Sequence, residues 1–230
     1  MPTRHTNTGT QSAPTATEVD TWPLAWLLRI ELRDLKPAIY REVMVSPDMT
    51  LRRLHAVIQA AMGWESAHLY GFAVPGRGRQ GRFWGVPSSA RIQPPGDSDG
   101  MDWMDGEPRR DTAVKLRQVL HAPGDKLLYL YDFGDDWEHL VTLKSVVKTP
   151  SALPVLSKAQ AGCPPEDCGG PPGYAHWCEA WWDNPHPDHD NARDVLGDEE
   201  PGRLDFAALQ AAVARLQPRP RAPRTASRSS

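Results

Sequence analysis

Apolar and polar residues alternate from Leu24 to Leu32, and again from Ile39 to Val45 after the turn Asp34-Leu35-Lys36-Pro37. A period of two turns one face of each segment inward, so the pair reads as a β-hairpin. The period then changes. Ser46, Pro47, Asp48 and Thr50 supply helix-start chemistry, and Leu51, Leu54, Val57, Ile58, Ala61 and Met62 follow at helical spacing up to Gly63. That pattern predicts an amphipathic helix closed by a glycine. Residues 68–74 and 82–86 read as strands on either side of a Gly- and Arg-rich turn, and residues 113–121 as a short helix. Lys126–Tyr131 and residues 137–147 read as two more strands, joined by the hairpin turn Asp132-Phe133-Gly134-Asp135-Asp136. After a proline-punctuated linker and a loop the periodicity turns helical. Trp177, Ala180 and Trp181 share one face there, and Phe206, Leu209, Ala212, Val213 and Leu216 form a later stripe. The expected class is therefore α+β: one domain over residues 22–216 with a largely antiparallel sheet, a long helix from the N-terminal half packed on it, and a C-terminal helical segment.

Composition changes this picture mainly at the ends. Residues 1–21 and 217–230 are rich in Thr, Ser, Pro and Arg and poor in large apolar side chains, which predicts disordered tails, the second one basic. The net charge of −3 gives no general attraction to phosphate backbones or anionic lipids, so nucleic acid is not the favoured partner. No apolar run reaches the length of about 18 residues that a membrane span needs. The N-terminus also lacks the apolar core of a secretory signal, so a cytoplasmic protein without a membrane partner is expected. Three cysteines, an odd number, suit a reducing compartment with thiols that are free or metal-bound.

The stretch Cys163-Pro164-Pro165-Glu166-Asp167-Cys168-Gly169-Gly170-Pro171-Pro172-Gly173-Tyr174 stands apart. Proline removes backbone donors and fixes φ, and glycine opens conformations closed to other residues, so such a loop is expected to hold one specific shape. It either braces the fold or presents its thiols and carboxylates to a ligand.

Several segments together resemble the plasmid pRiA4b ORF-3-like family. They are Leu35-Lys36-Pro37-Ala38-Ile39-Tyr40-Arg41, the helix up to Met62-Gly63-Trp64, His68-Leu69-Tyr70, Pro123-Gly124-Asp125, the run from Tyr129 to Asp136-Trp137-Glu138-His139, and the cysteine loop. The resemblance spans residues 24–216 and implies a compact α+β domain found on plasmids, mobile elements and prokaryotic chromosomes, without an established activity. Members often carry a further cysteine seven residues before Cys163; here that place is Leu156.

Three kinds of chemistry are open to these residues. In the first, recognition by a non-enzymatic binding module uses a surface built from the hairpin turn and the cysteine loop, with Asp132, Asp135, Asp136, Trp137, His139, Glu166, Asp167, Tyr174 and Trp182 as its candidates. The partner would be a protein or a small ligand. Trp177 and Trp181 are expected in the core, and Trp182 is the tryptophan left for an outside role. In the second, zinc is the cofactor: Cys163 and Cys168 stand at the wide end of thiolate-pair spacing, with His139, Cys178 and His176 as further ligands. Against this, the thiols can pack as small apolar groups. In the third, Arg77, Arg79 and Arg82 beside Phe83 and Trp84, with the basic tail, contact nucleic acid as an accessory factor of mobile elements. An acidic stretch containing Asp97, Asp99, Asp102 and Asp105, taken with Asp132, Asp135, Asp136, Glu138 and His139, offers a Mg²⁺ or acid–base site if the fold brings them together, but turn chemistry and solvation are the favoured explanation. His186 and His189, separated by three and flanked by prolines, read as a surface loop.

Overall fold

A computed structural model describes residues 20–76, 81–95 and 107–218. Eight strands form one sheet: β1 (Leu24–Leu32), β2 (Ile39–Val45), β3 (Tyr70–Ala73), β4 (Arg91–Gln93), β5 (Arg109–Arg110), β6 (Lys126–Tyr131), β7 (Trp137–Lys148) and β8 (Val155–Gln160). Their order across the sheet is β5-β4-β3-β6-β7-β1-β2-β8. Every neighbouring pair is antiparallel except β4–β5. Among the described residues the longer helices are, in chain order, α1 (Leu51–Met62), α2 (Gly170–Trp182), α3 (His189–Leu196) and α4 (Phe206–Ala214). The architecture is the expected α+β, with a mostly antiparallel sheet.

The sheet has two unequal faces. Leu28, Ile30 and Leu32 of β1 turn into the main core with Leu54, Val57, Ile58 and Ala61 of α1. Arg29 and Glu31 take the opposite face, where they pair at 2.8 Å and Arg29 also lies over the Tyr40 ring. Strand β6 instead reads as an unbroken apolar run, the mark of a strand covered on both sides. Leu127, Tyr129 and Tyr131 point to the main core, whereas Leu128 and Leu130 join Ala73, Phe83 and Val86 in a second, smaller one.

That second core explains a departure from the sequence pattern. Residues 82–86, expected as a strand, fold as a 3-10 turn at Phe83–Gly85. Side chains satisfy this backbone in place of a neighbouring strand. Glu138 Oε1 accepts from Phe83 N at 2.9 Å, and Arg91 donates to the carbonyls of Val86 and Trp84 at 2.9 and 3.2 Å. The helix expected at 113–121 is likewise reduced to a 3-10 turn, Leu116–Gln118. Its backbone is drawn to the start of α1 instead, with Leu51 N bonded to Val114 O and Leu116 N to Met49 O. Part of the segment read as a linker is β8, an edge strand on β2. Helix α1 holds its expected bounds: Thr50 Oγ1 accepts from Arg53 N, and Gly63 closes the helix at φ 89°.

The expected tails lie almost wholly outside the described residues, as do Arg77, Arg79, the basic C-terminal arginines and Asp97, Asp99, Asp102 and Asp105. At the inner edges of the tails, Asp20 pairs with Lys148 at 2.6 Å and Gln217 donates to the carbonyls of Ala152 and Pro154. Among the described residues no helix is long and apolar enough to cross a membrane.

Arg41 ties this frame together. It is fully buried, and among the described residues no carboxylate pairs with it. Its guanidinium donates instead to the carbonyls of Ala61 at 2.7 Å, Tyr40 at 2.9 Å, Gln160 at 3.1 Å and Ala161 at 2.9 Å, and approaches Cys163 Sγ at 3.3 Å. One side chain thus joins β2, the end of α1, the end of β8 and the start of the cysteine loop. Arg41→Leu should cost about 3 kcal/mol or more, because the carbonyls lose their donors in a buried site. Arg41→Lys, which keeps the charge but not the fork of donors, should recover only part of that loss. Urea unfolding of the three proteins decides the matter, and equal midpoints for wild type and Arg41→Leu would refute the assigned role.

Candidate binding site

Turn chemistry shapes the hairpin between β6 and β7. Asp132 adopts φ 57° and its Oδ1 accepts from the backbone of Gly134 at 2.9 Å and Asp135 at 3.3 Å. This Asx arrangement holds the carboxylates of Asp135 and Asp136 beyond the sheet edge. The cysteine loop docks on this turn. Asp135 Oδ2 accepts from Gly169 N at 3.1 Å, and Glu166 Oε2 accepts from Glu65 N at 2.7 Å. Tyr131 donates its hydroxyl to Glu166 Oε1, and Trp64 Nε1 donates to Pro164 O at 2.8 Å. The His68 ring lies between the turn and the loop, with Nδ1 3.6 Å from Asp132 and Nε2 3.1 Å from Asp167, although the second approach lacks the direction of a hydrogen bond. The two motifs that stand out in the sequence are therefore neighbours on one surface.

Beside this junction the structure opens a cleft of about 440 Å³. Arg82, Phe83 and Trp84 form one wall, Asp135, Asp136 and Gly134 of the turn another, and Gly169, Pro171 and Pro172 at the start of α2 a third. Leu130 and Glu138 reach it from the sheet and Asp34 from the β1–β2 turn. Trp84 is held at the rim by its Nε1 bond to Asp136 Oδ1, 2.9 Å, and its ring meets Phe133 edge-on at 5.2 Å. Arg82 is engaged, forked on Asp34 and bonded to Glu138 at 2.9 Å. Its carboxylate partners hold its pKa above the ordinary arginine value. It is the one predicted nucleic-acid contact within the described residues, and its half-exposed side chain is already paired with these two carboxylates.

Other expected site residues fall elsewhere. Trp137 and His139 are fully buried under Trp64 and form no part of the surface. A strand residue two positions from its like shares its face, and here that face is the core. His139 Nδ1 donates to Trp137 O at 2.9 Å, and among the described residues Nε2 makes no hydrogen bond of good geometry. Cys163, Cys168, Cys178 and His139 do not converge: no three of them bring donor atoms within 4.8 Å of one another. Burial pushes the Cys163 thiol up to about 11 and the Cys168 thiol to about 12, and raises Cys178 as well. His68, Asp132 and Asp167 are the one set of three such groups that lies this close among the described residues. Tyr174 is buried beside the thiols, with burial and then Cys178 raising its pKa. Trp177 is only partly buried against the core. Trp181 packs outward, with its Nε1 donating to Gly197 O at 3.0 Å and Arg193 over its ring. Trp182 is exposed at the end of α2. His189 opens α3 rather than lying in a loop, and His176 pairs with Asp188 at 3.3 Å.

Sequence reasoning missed Asp34 as a cleft residue, counted Glu138 among the turn carboxylates without naming it for the recognition surface, and missed the polar core beneath the site. His55 Nδ1 meets Tyr129 Oη at 2.8 Å, Gln59 donates to the same hydroxyl at 2.9 Å, and the His55 ring stacks on Tyr70 at 3.5 Å. His55 and Gln59 sit among the apolar positions of α1, and that placement was the available signal.

The geometry defines an α+β protein with a carboxylate-rich cleft. The comparisons are specific: residues 25–212 match the profile described as plasmid pRiA4b ORF-3-like protein, and the chain belongs to that family. A similar protein is the uncharacterised protein y4hQ of Sinorhizobium fredii, 35% identical over 190 residues, covering 81% of this chain and 89% of that one. Among solved structures it is similar to MM3350 of Methanosarcina mazei Go1, a protein of unknown function, with a TM-score of 0.66 and 26% identity over 80% of this chain and 97% of that one.

Two outcomes test this construction. A Cβ at Gly170, where φ is +68°, would run into the carbonyl of Asp135, whereas one at Gly76 would meet nothing. Gly170→Ala should therefore cost about 2 kcal/mol or more and Gly76→Ala close to none; similar urea midpoints for both would break the docking model. Burial also lowers the pKa of His139 to about 3 and of His55 to about 4, both below the ordinary 6.5. The unfolded chain then binds more protons than the native one below that value. Stability present above pH 6.5 should decline as pH falls toward 4, by up to about 1.4 kcal/mol per pH unit for each ring. His139→Gln should flatten that decline between pH 6 and 4, measured by urea unfolding; an unchanged slope would count against a neutral buried ring.

Proposed function

We propose that this protein is a binding module whose recognition surface is the cleft between the Asp132–Asp136 turn, the cysteine loop and Trp84. One observation carries the reading: the two motifs most distinctive in the sequence meet, and the place where they meet is a concave pocket with an exposed tryptophan, 42% accessible, at its rim. A concave site with an aromatic wall and a few oriented polar groups is the usual form of a small-ligand or side-chain pocket. Binding accounts for the lining better than catalysis. The described residues around the cleft include no Ser, Cys, His or Lys, and Glu138 is engaged by Phe83 N, Arg33 and Arg82. Such a carboxylate is committed to holding the shape of the cleft.

The test is a nitrogen–proton correlation spectrum of the full chain, recorded with mixtures of neutral, anionic and cationic fragments. The Trp84 indole signal should move first, the buried Trp137 signal should stay in place, and Trp84→Ala should remove the response without unfolding the protein. Shifts gathered on Trp181 and Trp182 would place recognition at the end of α2 and overturn the reading.

A further inference from the structure

Charge and the blunting of a helix end point to what the cleft accepts. Its lining carries four carboxylates, Asp34, Asp135, Asp136 and Glu138, against one guanidinium, Arg82. Arg82 pairs with Asp34 and Glu138, and Arg33 behind the lining pairs with Glu138 as well, so these two cations balance those two carboxylates and the turn carboxylates remain as net negative charge. Each is held by one oxygen only among the described residues, Asp135 through Oδ2 to Gly169 and Asp136 through Oδ1 to Trp84. The second oxygen of each remains to accept a donor.

The start of α2 faces the same space, and a helix N-terminus ordinarily favours anions. Here most of its donors are absent or already bonded, the Gly170 N–H excepted. Pro171 and Pro172 have no N–H, Gly173 N is bonded to Gly169 O, and Asp135 already occupies Gly169 N. The apolar parts of Pro171, Pro172 and Trp84 remain as walls for an alkyl stem. An anion would meet two like charges and almost no donors, while a cation meets open acceptors and an aromatic ring.

We propose that the cleft binds an alkylguanidinium or alkylammonium group, with its charge at Asp135 and Asp136 and its stem along Trp84 and the α2 prolines. This rests on the cleft being the recognition site. The chemistry is shared by free amines and by basic side chains on a partner chain.

The experiment titrates full-length protein with agmatine, N-acetyl-arginine methylamide and its neutral isostere N-acetyl-citrulline methylamide, and follows the Trp84 indole signal. Saturable shifts with one or both guanidinium probes, with the citrulline probe at least about tenfold weaker, are expected. Agmatine alone would identify a free amine as the source, and the arginine amide alone a chain-borne side chain. Asp136→Asn keeps an acceptor for Trp84 and removes the charge, so it should erase most of the preference while leaving the citrulline response unchanged. Equal shifts from arginine and citrulline probes would overturn the charge inference and leave the cleft reading standing. Guanidinium binding that leaves Trp84 unmoved would overturn both.

Discussion

A buried guanidinium with carbonyls in place of a counter-ion is the constraint on which the rest hangs. A charge removed from water must be met by donors or acceptors in the interior, and Arg41 meets this by drawing together four carbonyls. Two of those belong to Gln160 and Ala161, where β8 gives way to the cysteine loop. The loop therefore starts from a fixed point. Its far end is fixed by Asp135 on Gly169 and its middle by Tyr131 and Glu65 on Glu166. Prolines and glycines make the loop able to hold its shape, and these attachments decide where the shape is held.

The same anchoring explains the use of polar residues in the core. His55, Gln59 and Tyr129 form a closed set beneath Tyr131, and Gln59 also accepts from Ser66 N at 3.0 Å, just before His68. Buried polar groups of this kind hold a structure to one arrangement when every member is satisfied. Here they fix the residues 64–68 connection against the sheet, so that Trp64 and His68 meet the loop in register.

Much of this was legible in the chain. The β1–β2 hairpin, α1 with its caps, β6, β7 and the turn between them follow from period and turn chemistry, because local rules and tertiary demands agree there. The misreadings occur where distant side chains satisfy a backbone. Glu138 and Arg91 convert residues 82–86 from a strand into a turn, and the start of α1 takes the hydrogen bonds that a helix at 113–121 would have used. Likewise, Trp137 and His139 look like members of a recognition motif, and only the pleat of β7 shows that they face inward while Glu138 faces the cleft. The adjacency of the turn and the loop, about thirty residues apart in the chain, depends on β7, β1, β2 and β8 lying in that order across the sheet.

The walls of the cleft are contributed by the β1–β2 turn, the segment around Trp84, the β6–β7 turn and the first residues of α2. No one of these stretches carries a site alone. The pocket comes into being only when the chain has been made as far as α2 and the cysteine loop has closed on the turn. A nascent or prematurely ended chain would already own its sheet and its tryptophan yet remain mute toward any ligand, so binding competence doubles as a signature of a completed fold.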